Sequence, residues 1–269
     1  MAARYTYSHR RGEVNHRLRG PPSWNYSIKN LGAGHQWQGF RTKLDPIKEG
    51  LASIPDDDIV VFMDGGDIMF GGCNEEAFVQ RFTKILNVTN AQVIVAAEYN
   101  CAEVVNCTEF PDNNRETVLQ AFGLSREAVD PWAPTKNCFP VGCSLRYLNS
   151  GFYAGYKKDL KWFTSEVLNY YEKYRFTSDQ GYVSRLFMDH PEKIVLDYAG
   201  ALVNCLYGVV NEMDDRKLYE FDKSREVWVN NVLKDDVCFF HGNGKTKFSG
   251  LPLKKGRKKD DFTPLKANT

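Results

Sequence analysis

The sequence predicts an α/β fold, and three observations predict it. Short apolar runs alternate with segments of helical apolar spacing along much of the 269-residue chain. One run, Ile59-Val60-Val61-Phe62, leads into two carboxylates, Asp64 and Asp67, spaced i and i+3 around Gly65-Gly66. Another, Val237-Cys238-Phe239-Phe240, ends in His241-Gly242-Asn243-Gly244-Lys245-Thr246-Lys247. A continuous apolar run reads as a buried parallel strand, and open α/β sheets bind ligands beyond the carboxyl ends of such strands.

The elements follow in chain order. Arg4, Arg10, Arg11, Arg17 and Arg19 punctuate the first twenty residues, and no apolar core follows Met1. That segment is not a signal peptide, and it offers no apolar strand before Trp24; a fragment, a faulty gene model or another segment filling that edge of the sheet would account for that. Asp45-Pro46 reads as the N-cap and first position of a helix through residue 52. Asn74 starts a second helix through residue 86, with Glu75 and Glu76 placed well for the helix dipole. Residues 92–97 read as a buried strand. Residues 101–141 have weak periodicity and Pro111, Pro131, Pro134 and Pro140, as in a long loop or subdomain over a site. Leu160, Phe163, Val167, Tyr170 and Tyr174 keep helical spacing and read as core. A helix over 179–188 and strands near 194–196, 202–206 and 238–240 complete the sheet. The domain division is a basic, poorly ordered 1–23, one domain over 24–253, and a basic tail over 254–269 that contains Lys254-Lys255-Gly256-Arg257-Lys258-Lys259.

Composition narrows the function classes. A formal net charge of +1 provides no overall field for nucleic acid or an anionic membrane. Hydrophobic residues at 42%, with 13% aromatic, exclude disorder over most of the length. No apolar stretch approaches the roughly 20 residues a membrane helix needs, and no internal repeat is present. Seven cysteines include no C-x-x-C pair. Cys101 with Cys107 and Cys138 with Cys143 are close enough to pair in an oxidising compartment, whereas buried free thiols fit a reducing one. The sequons at Asn25, Asn87 and Asn106 are no more than chance supplies.

The chemistry concentrates at the two strand ends. Carboxylates at Asp64 and Asp67 are hard ligands suited to Mg²⁺ or Mn²⁺ bridging to a diphosphate. A neutral imidazole at His241 can complete that shell. Gly242 and Gly244 free backbone N–H groups for phosphate oxygens, and Lys245 or Lys247 can neutralise the remaining charge. The plainer readings are a tight Asp/Gly turn and a solvated histidine.

Several segments, taken in order, resemble the glycosyltransferase domain of procollagen lysyl hydroxylases. They are Asn25-Tyr26-Ser27-Ile28-Lys29-Asn30-Leu31-Gly32 with Gly34 and Trp37, then Lys43 ahead of a helix, and Met63-Asp64-Gly65-Gly66-Asp67. Ala96-Ala97-Glu98, Arg146-Tyr147-Leu148-Asn149-Ser150-Gly151-Phe152, Ser178-Asp179-Gln180, Leu196-Asp197 and His241-Gly242-Asn243-Gly244 complete the series. The resemblance runs from about Trp24 to Leu253. It implies a GT-A-type glycosyltransferase fold, a Rossmann-like mixed sheet flanked by helices. It also implies a UDP-sugar donor with Mn²⁺ (Mg²⁺ as the alternative) held by Asp64, Asp67 and His241. Lys43, Gly242 and Lys247 are its candidates for the diphosphate, and Gly66, Asn243 and Gly244 complete the nucleotide-binding set. Asn149, set at the end of a strand-like run, is the candidate for holding a sugar hydroxyl. Asp179 stands where the family has an aspartate run near the reacting centre; a helix N-cap is the equal alternative, and Asp197 is open to a structural reading too. The implied partners are a UDP-hexose and a hydroxyl acceptor on a protein or glycan, and the implied location is the endoplasmic reticulum or Golgi lumen. Gly66 replaces an aromatic that usually stacks on the uracil, and the aspartate run is thinned to one. A sugar-nucleotide-binding pseudoenzyme is therefore one alternative; a metal-dependent diphosphate hydrolase, using Asp64, Asp67 and His241 with water as acceptor, is another.

Overall fold

The computed structural model describes residues 2–7, 28–101, 106–112, 114–130, 145–207 and 218–244. Its main sheet has six strands in the order β2-β1-β3-β6-β5-β7. These are β1 (Ala2–Tyr7), β2 (Ile28–Asn30), β3 (Ile59–Asp64), β5 (Val93–Glu98), β6 (Tyr147–Tyr156) and β7 (Ile194–Leu196). β1 runs parallel to both β2 and β3, and β5 parallel to β7, while β6 lies antiparallel between β3 and β5. The sheet is thus mixed, as the resemblance implied.

β1 corrects the reading of the N-terminus. Ala2–Tyr7 lies inside the sheet, paired residue for residue with β3 from Ala2 opposite Ile59 to Tyr7 opposite Asp64. Apolar patterning misses the segment because Ala2-Ala3-Arg4-Tyr5-Thr6-Tyr7 forms no apolar run. Its strand signal is the Tyr and Thr content, which is a propensity and not a periodicity.

Helices α1 (Arg41–Leu51), α2 (Glu75–Thr89), α5 (Lys157–Lys173) and α6 (Asp179–Asp189) flank the sheets. α1 begins five residues before the start read at Asp45-Pro46, with Phe40 as its N-cap. Leu44, Ile47 and Leu51 bury one face, and Pro46 sits inside the helix as its sixth residue, where its missing N–H leaves one i→i−4 hydrogen bond unmade. Asp45 pairs with Arg41 one turn earlier and does not cap. α2 starts where expected: Asn74 Oδ1 accepts the N–H of Ala77 at 2.7 Å. Phe78, Phe82 and Ile85 of α2 face the core, as do Leu160, Phe163 and Val167 of α5. Short helices α3 (Arg115–Ala121) and α4 (Arg126–Val129) lie in the region expected to be a long loop or subdomain.

Two smaller sheets complete the fold. One joins β4 (Ile68–Phe70), β12 (Phe239–His241) and β8 (Val203–Cys205); the other is an antiparallel ribbon of β9 (Tyr219–Asp222), β10 (Val227–Asn230) and β11 (Asp235–Asp236). The ribbon was not expected from sequence. Disulfides join Cys73 to Cys238 and Cys101 to Cys107. The first was not expected, and the proposed Cys138–Cys143 pair lies outside the described residues, as do Trp24, Lys245, Lys247 and the basic tail.

Candidate functional site

Two sheets converge to build the site. β3 ends at Asp64, the chain turns through Gly65-Gly66-Asp67, and β4 then leaves the main sheet to pair antiparallel with β12. In that register Ile68 lies opposite His241, so the carboxylate turn and the histidine meet. The Gly242 N–H donates to the Asp67 carbonyl at 2.7 Å and fixes the junction. Asp64, Asp67 and His241 each present a ligand atom, all within 4.8 Å of one another. His241 Nε2 stands 3.4 Å from Asp67 Oδ1. Two carboxylates and an imidazole suit a hard to borderline divalent cation such as Mn²⁺ or Mg²⁺.

A bulge in β6 makes room for the histidine. β5 pairs Val95 with Tyr153 but Ala96 with Asn149, so Ser150, Gly151 and Phe152 lie outside the β5 register. Gly151 there lies against the His241 ring. A Cβ at this position would overlap Cε1 and stand 2.7 Å from Nε2. Only glycine fits beneath the ring.

Lys43 and Asp179 form the second part of the site. Lys43 belongs to the first turn of α1, inside the helix instead of ahead of it, and is 6% exposed. Its ammonium donates to Asp64 Oδ1 at 2.6 Å and also to Asp179 Oδ2 at the start of α6. Burial lowers the Lys43 pKa, but Asp179 and Asp64 outweigh it and hold the ammonium raised. Burial raises Asp64 against the pull of Lys43. Asp179 is the first helical residue and not the N-cap, which is Ser178. One of its carboxylate oxygens meets Lys43, while the other accepts the Gln180 N–H of the first helical turn at 3.1 Å.

A third group lies beneath. Glu98, at the end of β5, is 5% exposed and accepts three amide N–H bonds. They come from Gln180 Nε2 at 2.7 Å, Asn243 Nδ2 at 2.8 Å and Asn149 Nδ2 at 3.2 Å. Burial pushes Glu98 up to about 7, even though those amides and His241 pull it down. The carboxyl joins β5, β6, α6 and the segment after β12 at one point.

The remaining predicted residues divide clearly. Asn149 is the third residue of β6 and not at its end; its Oδ1 accepts the Gly151 N–H at 2.9 Å and its amide serves Glu98. Asn243 likewise bridges, accepting the Tyr207 N–H at 2.8 Å. The Gly242 N–H is engaged by Asp67 and does not point outward. Gly244 has φ +62° and lies against the Tyr207 ring. Gly66 is exposed at the turn, and a Cβ added there would meet nothing within 4 Å. Asp197 is fully buried and accepts the backbone N–H groups of Ala201, Leu202 and Val203 at 2.7–2.9 Å, a structural role. Gly151, Gln180 and the Glu98 hub had no chemical role in the sequence reading. Their only signal was membership of the ordered motifs.

Comparison with known proteins finds similarity to glycosyltransferases. The family model of the PLOD GT domain matches residues 131–253, which include His241 but not Asp64 or Asp67. The multifunctional procollagen lysine hydroxylase and glycosyltransferase LH3 of Homo sapiens is 25% identical over 245 residues, covering 86% of this chain. Procollagen-lysine,2-oxoglutarate 5-dioxygenase 1 of Gallus gallus is 25% identical over 240 residues, covering 83% of it. Over residues 131–253 the chain matches the glycosyltransferase domain of the procollagen lysyl hydroxylases, and it is similar to those relatives over most of its length. It spans only 28% and 27% of the length of those two relatives. Among solved structures, mouse xyloside xylosyltransferase 1 aligns over 78% of this chain and 67% of its own, at 17% identity and a TM-score of 0.40. A glycosyltransferase involved in glycosylation of the major capsid of PBCV-1 aligns over 91% and 94%, at 11% and 0.49.

Proposed function

We propose that the chain is a metal-dependent hexosyltransferase, moving glucose or galactose from a UDP-sugar to a hydroxyl on a protein or glycan, such as one linked to hydroxylysine. The observation that carries this reading is the meeting of Asp64, Asp67 and His241 at the junction of two sheets. A divalent cation bound there would supply charge neutralisation for a departing diphosphate. The chain's own residues supply the rest. Asp64, Asp67 and His241 would hold the ion, and Lys43 brings a cation to the same place. Asp179 keeps that ammonium oriented from the opposite side. Glu98 fixes Asn149, Gln180 and Asn243 relative to one another, so that the surfaces facing donor and acceptor are rigid.

The inner strand β1 removes one ground for a pseudoenzyme, while Gly66 and the single Asp179 keep that alternative in play. The two disulfides favour an oxidising compartment, consistent with the endoplasmic reticulum or Golgi lumen. No helix among the described residues is long and apolar enough to cross a membrane. The test is release of UDP from UDP-glucose and UDP-galactose, with Mn²⁺, in the presence and absence of hydroxylysine-linked acceptors. Acceptor-dependent release supports transfer. Acceptor-independent release at the same rate would mean a hydrolase, and nucleotide binding without release would mean a pseudoenzyme.

A further inference from the structure

Cys205 is buried in β8, is bonded in neither disulfide, and has no task in the account above. The parallel register of β8 and β12 places it directly opposite His241. Its Sγ lies 3.8 Å from His241 Nδ1, within reach of a sulfur hydrogen bond. The other ring nitrogen, Nε2, faces Asp67. The ring cannot move toward β6, because even a Cβ at Gly151 would overlap it. The two nitrogens therefore have two fixed partners, the sulfur on one side and the carboxylate pair on the other. A neutral imidazole carries one proton, and only its bare nitrogen can ligate a metal. A ligating histidine usually donates its remaining N–H to an oxygen, and that bond sets both tautomer and ring orientation. Here sulfur occupies that place.

We propose that Cys205 is a positioning residue for the metal centre: in the loaded site His241 carries its proton on Nδ1, donates it to the Cys205 sulfur, and leaves Nε2 for the cation. This rests on reading Asp64, Asp67 and His241 as the metal site. Cys205 touches neither cation nor substrate and acts only through His241.

Packing and hydrogen bonding make opposite demands at this position, which separates the proposal from a core-filling role. Cys205→Val fills the space but cannot accept the proton. Cys205→Ser accepts it but fills less space. Mn²⁺ binding to the whole chain, followed by calorimetry, is expected to weaken about tenfold in Cys205→Val and to stay within about threefold of wild type in Cys205→Ser. The reverse order, or equal affinity in all three proteins, would overturn the proposal. If Cys205→Val fails to fold, the wild type decides alone. Nitrogen NMR of Mg²⁺-loaded protein should find the His241 proton on Nδ1; finding it on Nε2 would overturn the proposal. If the wild type binds no divalent ion at all, the metal reading itself fails and takes this inference with it. Metal binding that is indifferent to Cys205 overturns only the inference.

Discussion

Removing the Cys73–Cys238 disulfide should cost more stability than removing Cys101–Cys107, and it should also damage the metal centre. The bridge joins residues 165 apart, whereas the other closes a separation of 6. In the chain-entropy account the long closure is worth about 5 kcal/mol and the short one about 2 kcal/mol, both upper values. For a chain of this size the difference corresponds to a melting shift on the order of 10 °C. Position adds a second consequence. Cys73 follows β4, and Cys238 precedes β12, the two strands that carry the turn with Asp67 and the strand with His241. The ladder continues past β4, with Gly71 N–H to Cys238 O at 2.8 Å and Cys73 N–H to Val237 O at 3.0 Å. Calorimetry of Cys73→Ala/Cys238→Ala and Cys101→Ala/Cys107→Ala would give both melting temperatures, and Mn²⁺ titration of each would give affinities. The account expects the first variant to melt lower and to bind Mn²⁺ more weakly, and the second to retain affinity. A larger loss from the short bridge, or unchanged Mn²⁺ affinity in the first variant, would refute the reasoning.

Gly151→Ala should leave the fold standing, at a cost of about 1–3 kcal/mol for overpacking, and should abolish Mn²⁺ binding by displacing His241; circular dichroism and titration check the two halves. Glu98 faces Asn149 from β6, Gln180 from α6, and Asn243 and His241 from the β12 segment, and its pKa rises from 4.5 to about 7 on folding. The folded protein therefore holds that proton more tightly, so the stabilisation is full below pH 4.5 and is lost as pH rises through about 7. The upper limit is about 3 kcal/mol. In chelator, melting temperature should fall between about pH 5 and about pH 8 in wild type and vary less in Glu98→Gln. Gly66→Tyr should keep stability within about 0.5 kcal/mol of wild type, as an exposed substitution with open space around it. It should also tighten UDP binding, read by calorimetry, by supplying the stacking ring that the resemblance implies at this position.

What the sequence disclosed and what it hid have physical reasons. The meeting of Asp64, Asp67 and His241 was legible because Asp64 and His241 each end a short apolar run and Asp67 lies in the turn that follows, and strand ends are where an α/β sheet exposes ligands. Helix α2 was legible because its cap and first-turn acids are local signals. β1 was not, because its strand character lies in propensity and in pairing with β2 and β3, which no local pattern records. The start of α1 was misplaced because Pro46 looks like a first-turn residue, whereas burial of Lys43 and Leu44 extends the helix back to Arg41. Asn149 read as a sugar contact from its place in Leu-Asn-Ser-Gly of a strand-like run; its bond to Glu98, 51 residues away, was invisible from sequence. The Cys73–Cys238 pair was hidden for the same reason, since spacing finds neighbours in sequence and not strands that meet.

The central claim is that Asp64, Asp67 and His241 form a metal-dependent sugar-nucleotide site. Calorimetric titration of UDP, with and without Mn²⁺, into wild type and Asp67→Asn tests it most directly. The account predicts UDP binding that requires Mn²⁺ and is lost in a folded Asp67→Asn. Equal UDP binding with and without the ion, or undiminished binding in that variant, would contradict it.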